Sequence, residues 1–255
     1  MLLAASLGVE LGSIQDVLKP AWRTIRSWKL AMPPEFRAPA PLELVAAIAL
    51  YAWVHHEFQF VVMCLLQFHC LLRPDEARNI WLSDIIIFLA DEAARYSGVY
   101  GLVGVRKPKT RRLAAHAPTQ HVLIEDKSLA DFLGWLLSPI PADLREVLLW
   151  NGSPELHAKL WRQALAMLGC QDGPWTPASL RGGGATEHYL RQQNVPALRR
   201  RGRWTQEATL ERYLQEGILL RHSTSLPTKV IQLSGLAASV LQPASSPPPP
   251  LLTPT

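Results

Sequence analysis

Cysteine is scarce in this chain: Cys64, Cys70 and Cys170 are the whole supply. Their number is odd and no metal-ligand spacing joins them, which argues against both a disulfide framework and a zinc site. Cys64 and Cys70 fall in an apolar helical run, where a free thiol behaves as a small hydrophobe. Charge is modest at 18% of residues, while hydrophobic residues make up 48%, a balance that excludes a disordered polyelectrolyte. No long apolar run is present either. The longest, Ala40 to Val54, contains Glu43 and is too short to cross a bilayer comfortably. Met1 to Leu11 is apolar but lacks the basic start and cleavage site of a secretory signal. With export and membrane signals missing, the expected location is the nucleus or the cytoplasm. Charge vanishes from Gln242 to Thr255, a proline-rich stretch expected to be a disordered or polyproline II tail. There are no internal repeats.

What is there reads as a mostly helical protein with a small sheet. Residues 1–38 resemble the end of another unit, with short helices over Ser13 to Leu18 and Ala21 to Leu30. Met32 to Pro41 follows as a proline-biased extended linker. Leu42 to Val54, Glu57 to Leu72 and Pro74 to Trp81 read as helices, the first two apolar enough to be buried on most sides. The period then changes. Asp84 to Leu89, Val99 to Val105 and Thr119 to Ile124 supply three short β-branched runs for an antiparallel sheet. Helices return over Lys127 to Leu137, Pro141 to Trp150, and Pro154 to Leu168, where Gly169 ends the run. Pro177 to Gln193, Val195 to Arg201, Thr205 to Gln215 with Thr205 as N-cap, and Thr228 to Leu241 complete the set. The expected domains are 1–38, 39–225 and 226–255. Gly182, Gly183 and Gly184 are odd inside a helix, where each glycine costs about 1 kcal/mol relative to alanine. Either that helix starts late, or small residues are needed where backbone approaches a phosphate.

The excess of 26 Lys+Arg over 21 Asp+Glu is small, but its placement is not even. Arg106, Lys107, Lys109, Arg111 and Arg112 crowd the turn between two of the strands. Arg191, Arg199, Arg200, Arg201 and Arg203 crowd a second segment. Basic patches of this kind attract a polyanionic backbone and displace its counterions, though a solvated arginine-rich face reads the same way. His69 and His188 lie in helices without ligand-like spacing and read as structural.

Five residues in a fixed order carry chemistry. Arg73 stands in Leu72-Arg73-Pro74-Asp75-Glu76, Lys109 in Lys107-Pro108-Lys109-Thr110, Arg181 in Ala178-Ser179-Leu180-Arg181, Trp204 after Gly202-Arg203, and Tyr213 in Glu211-Arg212-Tyr213-Leu214. In this order and spacing the chain, over roughly residues 40–215, resembles the tyrosine recombinase (phage integrase) family. The resemblance implies that family's catalytic-domain fold, mainly α with a small antiparallel β-sheet (α+β). It implies DNA breaking and rejoining for recombination or mobile-element integration, through a covalent 3′-phosphotyrosyl intermediate with no metal and no cofactor. Arg73 and Arg181 would hold the scissile phosphate, with Glu76 supporting Arg73. Lys109, with Lys107 as a close rival, would protonate the leaving oxygen. Trp204 would sit at the family's His/Trp position, as in Cre-like members, and Tyr213 would be the nucleophile. Arg106, Lys107, Arg111, Arg112, Arg199, Arg200, Arg201 and Arg203 are the expected DNA contacts. The implied partner is double-stranded DNA, bound by a homotetramer that exchanges a C-terminal helix, for which Thr228 to Leu241 is the candidate.

The chain departs from the pattern at Ala178, where the family's box has histidine, and Ser179 is a poor base in its place. Losing an acid–base group costs on the order of 10²–10⁴ in rate. The usual glycine before the first arginine is replaced by Leu71 and Leu72, and the N-terminal core-binding domain is at best a fragment in residues 1–38. Two other readings therefore stand beside the enzyme: a recombinase-like protein that holds DNA without cutting it, and a helical interaction protein whose arginines are solvated.

Overall fold

Leu42 to Val54 forms a helix that is apolar all round, and such a helix belongs inside a domain. In the computed structural model this helix, α1 (Leu42–Val54), buries Leu44, Val45, Ala47, Ile48, Ala49, Leu50 and Ala52. The structure describes residues 18–24, 27, 37–96, 98–106, 108, 119–243 and 247–251, in two units, Met1–Phe36 and Arg37–Thr255. In the first unit, residues 18–24 are helical and exposed. The remainder of the two helices expected there, apart from residue 27, and the first half of the proline-biased linker lie outside the described residues.

The second unit is built around α1 and the antiparallel α2 (Phe58–His69). His56 at φ 63° makes the tight turn between them. The helix α2 stops three residues before the expected Leu72, because Leu71 takes a left-handed φ of 53° and Arg73 is extended. A residue before proline is pushed out of the helical region, so Arg73 stays extended and Pro74 opens the next helix, α3 (Pro74–Arg78). That helix is shorter than the expected Pro74 to Trp81.

The three apolar runs form the expected antiparallel sheet, in order β1 (Ile85–Ile87), β2 (Gly101–Val105), β3 (Gln120–Ile124). Ile85 pairs with Val103, and Val103 with Val122. Ile85, Val103, Val105, Val122 and Ile124 are buried in the main core. A short helix, α4 (Ala90–Arg95), fills the β1–β2 connection. The helix α5 (Lys127–Leu137) covers the sheet, starting where Asp126 accepts from the Leu129 N–H at 2.9 Å.

The expected helix over Pro141 to Trp150 is not present. Only a single 3₁₀ turn, Ala142–Leu144, forms. The chain then runs extended beside residues 80–83, with Leu82 N–H donating to Val147 O and Leu149 N–H to Ile80 O, both near 2.9 Å. Trp81 bridges to Leu148. Arg145 donates to the carbonyls of Leu137 and Ile140, each at 2.9 Å, which holds the bend. Tertiary hydrogen bonding outweighs a helical propensity that differs little between these residues. The next helix, α6 (Pro154–Met167), agrees with its expected span to one residue, capped by Ser153 and ended at Gly169 with φ 70°.

The remaining helices are α7 (Ser179–Gln192), α8 (Val195–Arg201), α9 (Glu207–Glu211), α10 (Glu216–Thr224) and α11 (Thr228–Val240). The helix α10 was not anticipated. The expected Thr205 helix shrinks to α9, which starts after Gln206 without a side-chain cap, so Tyr213 lies in the turn beyond it. The C-terminal helix α11 packs on α1 of its own chain, burying Val230 and Ala237. Of the stretch expected as a free tail, Leu251 is buried in the main core and its carbonyl accepts from Gln59 Nε2 at 3.2 Å. Among the described residues no helix is long and apolar enough to cross a membrane.

One buried histidine gives the fold an acid-sensitive point. His157 is 1% exposed, with its ring against Phe60 and Trp150. Its Nδ1 accepts from the Arg78 guanidinium at 3.2 Å, which fixes the neutral tautomer. Burial, and then the Arg78 charge, push its pKa down to about 4. The native state therefore binds fewer protons than the unfolded chain below pH ~6.5, and stability falls with pH through that window. A loss of about 3 kcal/mol by pH 4 is expected from this side chain. His188 and His222 are pushed the same way by burial. Urea unfolding followed from pH 7 to 4 should show the decline, reduced in His157→Gln. A flat wild-type profile would contradict it.

Candidate active site

Glu76 is the centre of the site. It lies in α3, which Pro74 starts, so its carboxylate folds back on the first turn and accepts from the Arg73 backbone N–H at 2.9 Å. Its side chain is 2% exposed, a costly place for a charge unless cations surround it. Three do. Arg73 donates to Oε1 at 2.7 Å, Arg203 donates to Oε2 at 2.7 Å, and an Arg181 nitrogen stands 3.7 Å from Oε2. Burial opposes ionisation of Glu76, but Arg203, the Arg73 N–H, and the charges of Arg73 and Arg181 hold its pKa below the usual carboxylate value.

Arg181 reaches this point because α7 lies directly on the backbone of its neighbours. A Cβ on Gly183 would collide with the Ala40 carbonyl, and one on Gly184 with the Phe68 carbonyl. Gly183 and Gly184 therefore serve close approach between parts of the protein, and the helix runs through all three glycines without starting late. From α7, Arg181 spans two segments. One terminal nitrogen donates to Leu71 O and the other to Gly202 O, both at 2.6 Å, and the residue is 2% exposed. Its Nε has no partner. Burial, then the Arg73 charge, lower its pKa, yet a guanidinium keeps its proton in proteins.

Over Arg181 lie two aromatic rings. Trp204 has its ring centroid 4.8 Å from Arg181 Cζ, Tyr213 has its own at 5.7 Å, and the rings stand 5.1 Å apart at 45°. Cation–π contact of this kind favours keeping the charge in place. Trp204 is 4% exposed and its Nε1 is buried without a partner. Its ring folds back over Gly202, leaving no room there for a side chain. Leu71, Ala185, Leu198, Trp204 and Leu210 form a second small core, with Tyr189, Tyr213 and Leu214 packed against it. The site lies where that core meets the main one.

The structure thus brings Arg73, Glu76, Arg181, Trp204 and Tyr213 together from positions far apart in sequence. Lys109 and Lys107 lie outside the described residues, as do Arg111 and Arg112. The other expected DNA contacts divide. Arg199 and Arg200 are exposed on α8. Arg106 is held by Asp84 at 2.9 Å and Ser83 at 3.0 Å, with its guanidinium over the Trp81 ring. Arg201 pairs with Glu125 and donates to His69 O. Arg203 is held by Glu76. These three face carboxylates of their own fold, which their sequence neighbourhood alone does not reveal.

Ala178 takes the N-cap position of α7 and offers no cap. Ser179 is 1% exposed, and its hydroxyl accepts from the Thr176 N–H at 3.0 Å, so it is not a free base. Sequence reasoning missed Thr186. Its buried hydroxyl lies 2.9 Å from Gly182 O and 2.7 Å from Tyr213 O, which ties the nucleophile candidate's backbone to α7. No motif marks it; a polar residue on the buried face of α7, just past the glycines, was the available signal. Among the described residues no group of three or more His, Cys, Asp or Glu could hold a metal ion. An apolar cleft of about 400 Å³ lies between α1, α5 and α11 and is lined by none of these residues.

No protein-family model matches the chain, and no curated protein matches it.

Proposed function

We propose that this chain is a tyrosine-recombinase-like catalytic domain that breaks and rejoins DNA strands, with Tyr213 as the nucleophile. The observation that carries the reading is that Arg181 stands beside Arg73 on the buried Glu76 carboxylate and under the Trp204 and Tyr213 rings, in the order the family resemblance requires. Tyr213 gives up its phenolic proton to water, its oxygen attacks the phosphorus, the bond to the 5′ oxygen breaks, and that oxygen leaves with a proton. Lys109 is the expected donor, on the sequence alone. The phosphodiester energy is kept in the phosphotyrosine, which a 5′ hydroxyl later reverses. The transition state gathers negative charge on its non-bridging oxygens, where guanidiniums and unpaired N–H donors are the fitting partners. Arg181 Nε and Trp204 Nε1 are unpaired N–H donors, though both are buried in this structure.

A second reading is favoured by specific observations: a protein that holds DNA but does not cut it. Ala178 supplies no acid–base group, and both Arg181 terminal nitrogens already serve carbonyls. Nicked duplex substrates separate the two. The enzyme leaves a covalent protein–DNA adduct that Tyr213→Phe abolishes, while DNA binding survives and weakens steeply with salt. Salt-sensitive binding without adduct selects the second reading. Binding indifferent to salt removes both.

A further inference from the structure

Arg203 has a backbone that few side chains adopt. Its φ of 57° is left-handed, a conformation that costs a non-glycine residue roughly 1–2 kcal/mol. Glycine would relieve that cost, so the side chain has to offset it. It does so by donating to Glu76 Oε2 at 2.7 Å and reaching Gln120 Oε1 at 3.4 Å, at the start of β3. Its neighbours on either side touch the same guanidinium. Gly202 O accepts from Arg181, and the Trp204 ring lies over Arg181. The turn is also tied to α8 by backbone bonds, Gly202 N–H to Leu198 O at 2.8 Å, Arg203 N–H to Arg200 O at 3.1 Å and Trp204 N–H to Arg199 O at 3.0 Å, and Trp204 packs into the second small core.

We infer that Arg203 is a positioning residue: held on Glu76, it clamps the Gly202–Trp204 turn over Arg181 and so fixes the aromatic lid beside the phosphate site, rather than contacting DNA. The inference rests on the proposed function for its catalytic consequence but not for its geometry. Arg203 is 11% exposed in its side chain and already bonded to the Glu76 carboxylate, which is a poor arrangement for a phosphate contact. Arginine is needed because one planar fork spans Glu76 and Gln120; a lysine ammonium reaches only one.

The test uses the full chain with Arg203→Gln and Arg203→Lys. The first readout needs no catalysis: the Trp204 indole N–H resonance, identified by its loss in Trp204→Phe. It should move in Arg203→Gln and move less in Arg203→Lys. The second readout is adduct formation on saturating nicked duplex, expected to slow 10- to 100-fold in Arg203→Gln. DNA affinity should stay within about threefold, and its salt slope should be unchanged. An unmoved indole resonance overturns the inference, as does a salt slope reduced by one phosphate's worth, about 0.9, with normal adduct rate. If Arg203→Gln does not fold, Arg203→Lys decides on the same readouts. A wild type that forms no adduct removes the proposed function, and the indole resonance then decides the positioning role by itself.

Discussion

Gly184→Ala will lower the stability of this protein by about 3 kcal/mol or more, or leave it unfolded. One methyl group achieves this because it lands on the Phe68 carbonyl, and backbone cannot move aside as a side chain can. The helix α7 would have to lift from α2, which would draw Arg181 from Leu71 O. The same change two residues earlier should do the opposite. At Gly182 a Cβ meets nothing nearer than 3.8 Å, so Gly182→Ala gains the helical preference of alanine, about 1 kcal/mol, with little offset. Urea unfolding of the pair is the measurement. Equal effects at the two positions would contradict the packing of α7.

Glu76→Gln is expected to cost about 3–5 kcal/mol, since it leaves three guanidiniums around a neutral group. Arg181 suffers most, being the most deeply buried of them. The pH dependence carries the same information. The Glu76 pKa is lowered in the folded state, so its contribution is complete above pH ~4.5 and is lost as pH falls through the folded value. This limb begins at the acid end of the His157 window, continues to lower pH and should vanish in Glu76→Gln. Stability at neutral pH close to the wild type would show that the carboxylate does not organise the arginines.

Elements whose reasons are local were legible in the sequence. The helix α1 could be placed because its apolar run follows Pro41, α5 because its run has clear bounds, and the sheet because its β-branched runs are short and punctuated. Pro141 to Trp150 was not legible, because its extended path depends on carbonyls and amides of residues 80–83 that only folding brings near. The end of α9 before Tyr213 was hidden for a related reason: Thr186 and Arg181, both on α7, hold that turn. At the site, the order of Arg73, Arg181, Trp204 and Tyr213 was readable, and the structure draws them together. The charge pattern misled where arginines are concerned. Arg106, Arg201 and Arg203 look alike in sequence to Arg199 and Arg200, but a carboxylate from a distant segment meets each of the first three.

The proposal that Tyr213 attacks a phosphodiester is tested most directly by finding which residue carries the DNA. The chain has five tyrosines, so the assignment is discriminating, and Tyr189 packs against the same small core. Protein trapped on a randomised library of nicked duplexes would be digested with nuclease and protease, and the peptide bearing a residual nucleotide sequenced by mass spectrometry. The account predicts a nucleotide on Tyr213, lost entirely in Tyr213→Phe. A nucleotide on Tyr189 or any other residue, or salt-sensitive DNA binding with no linked peptide at all, would contradict it.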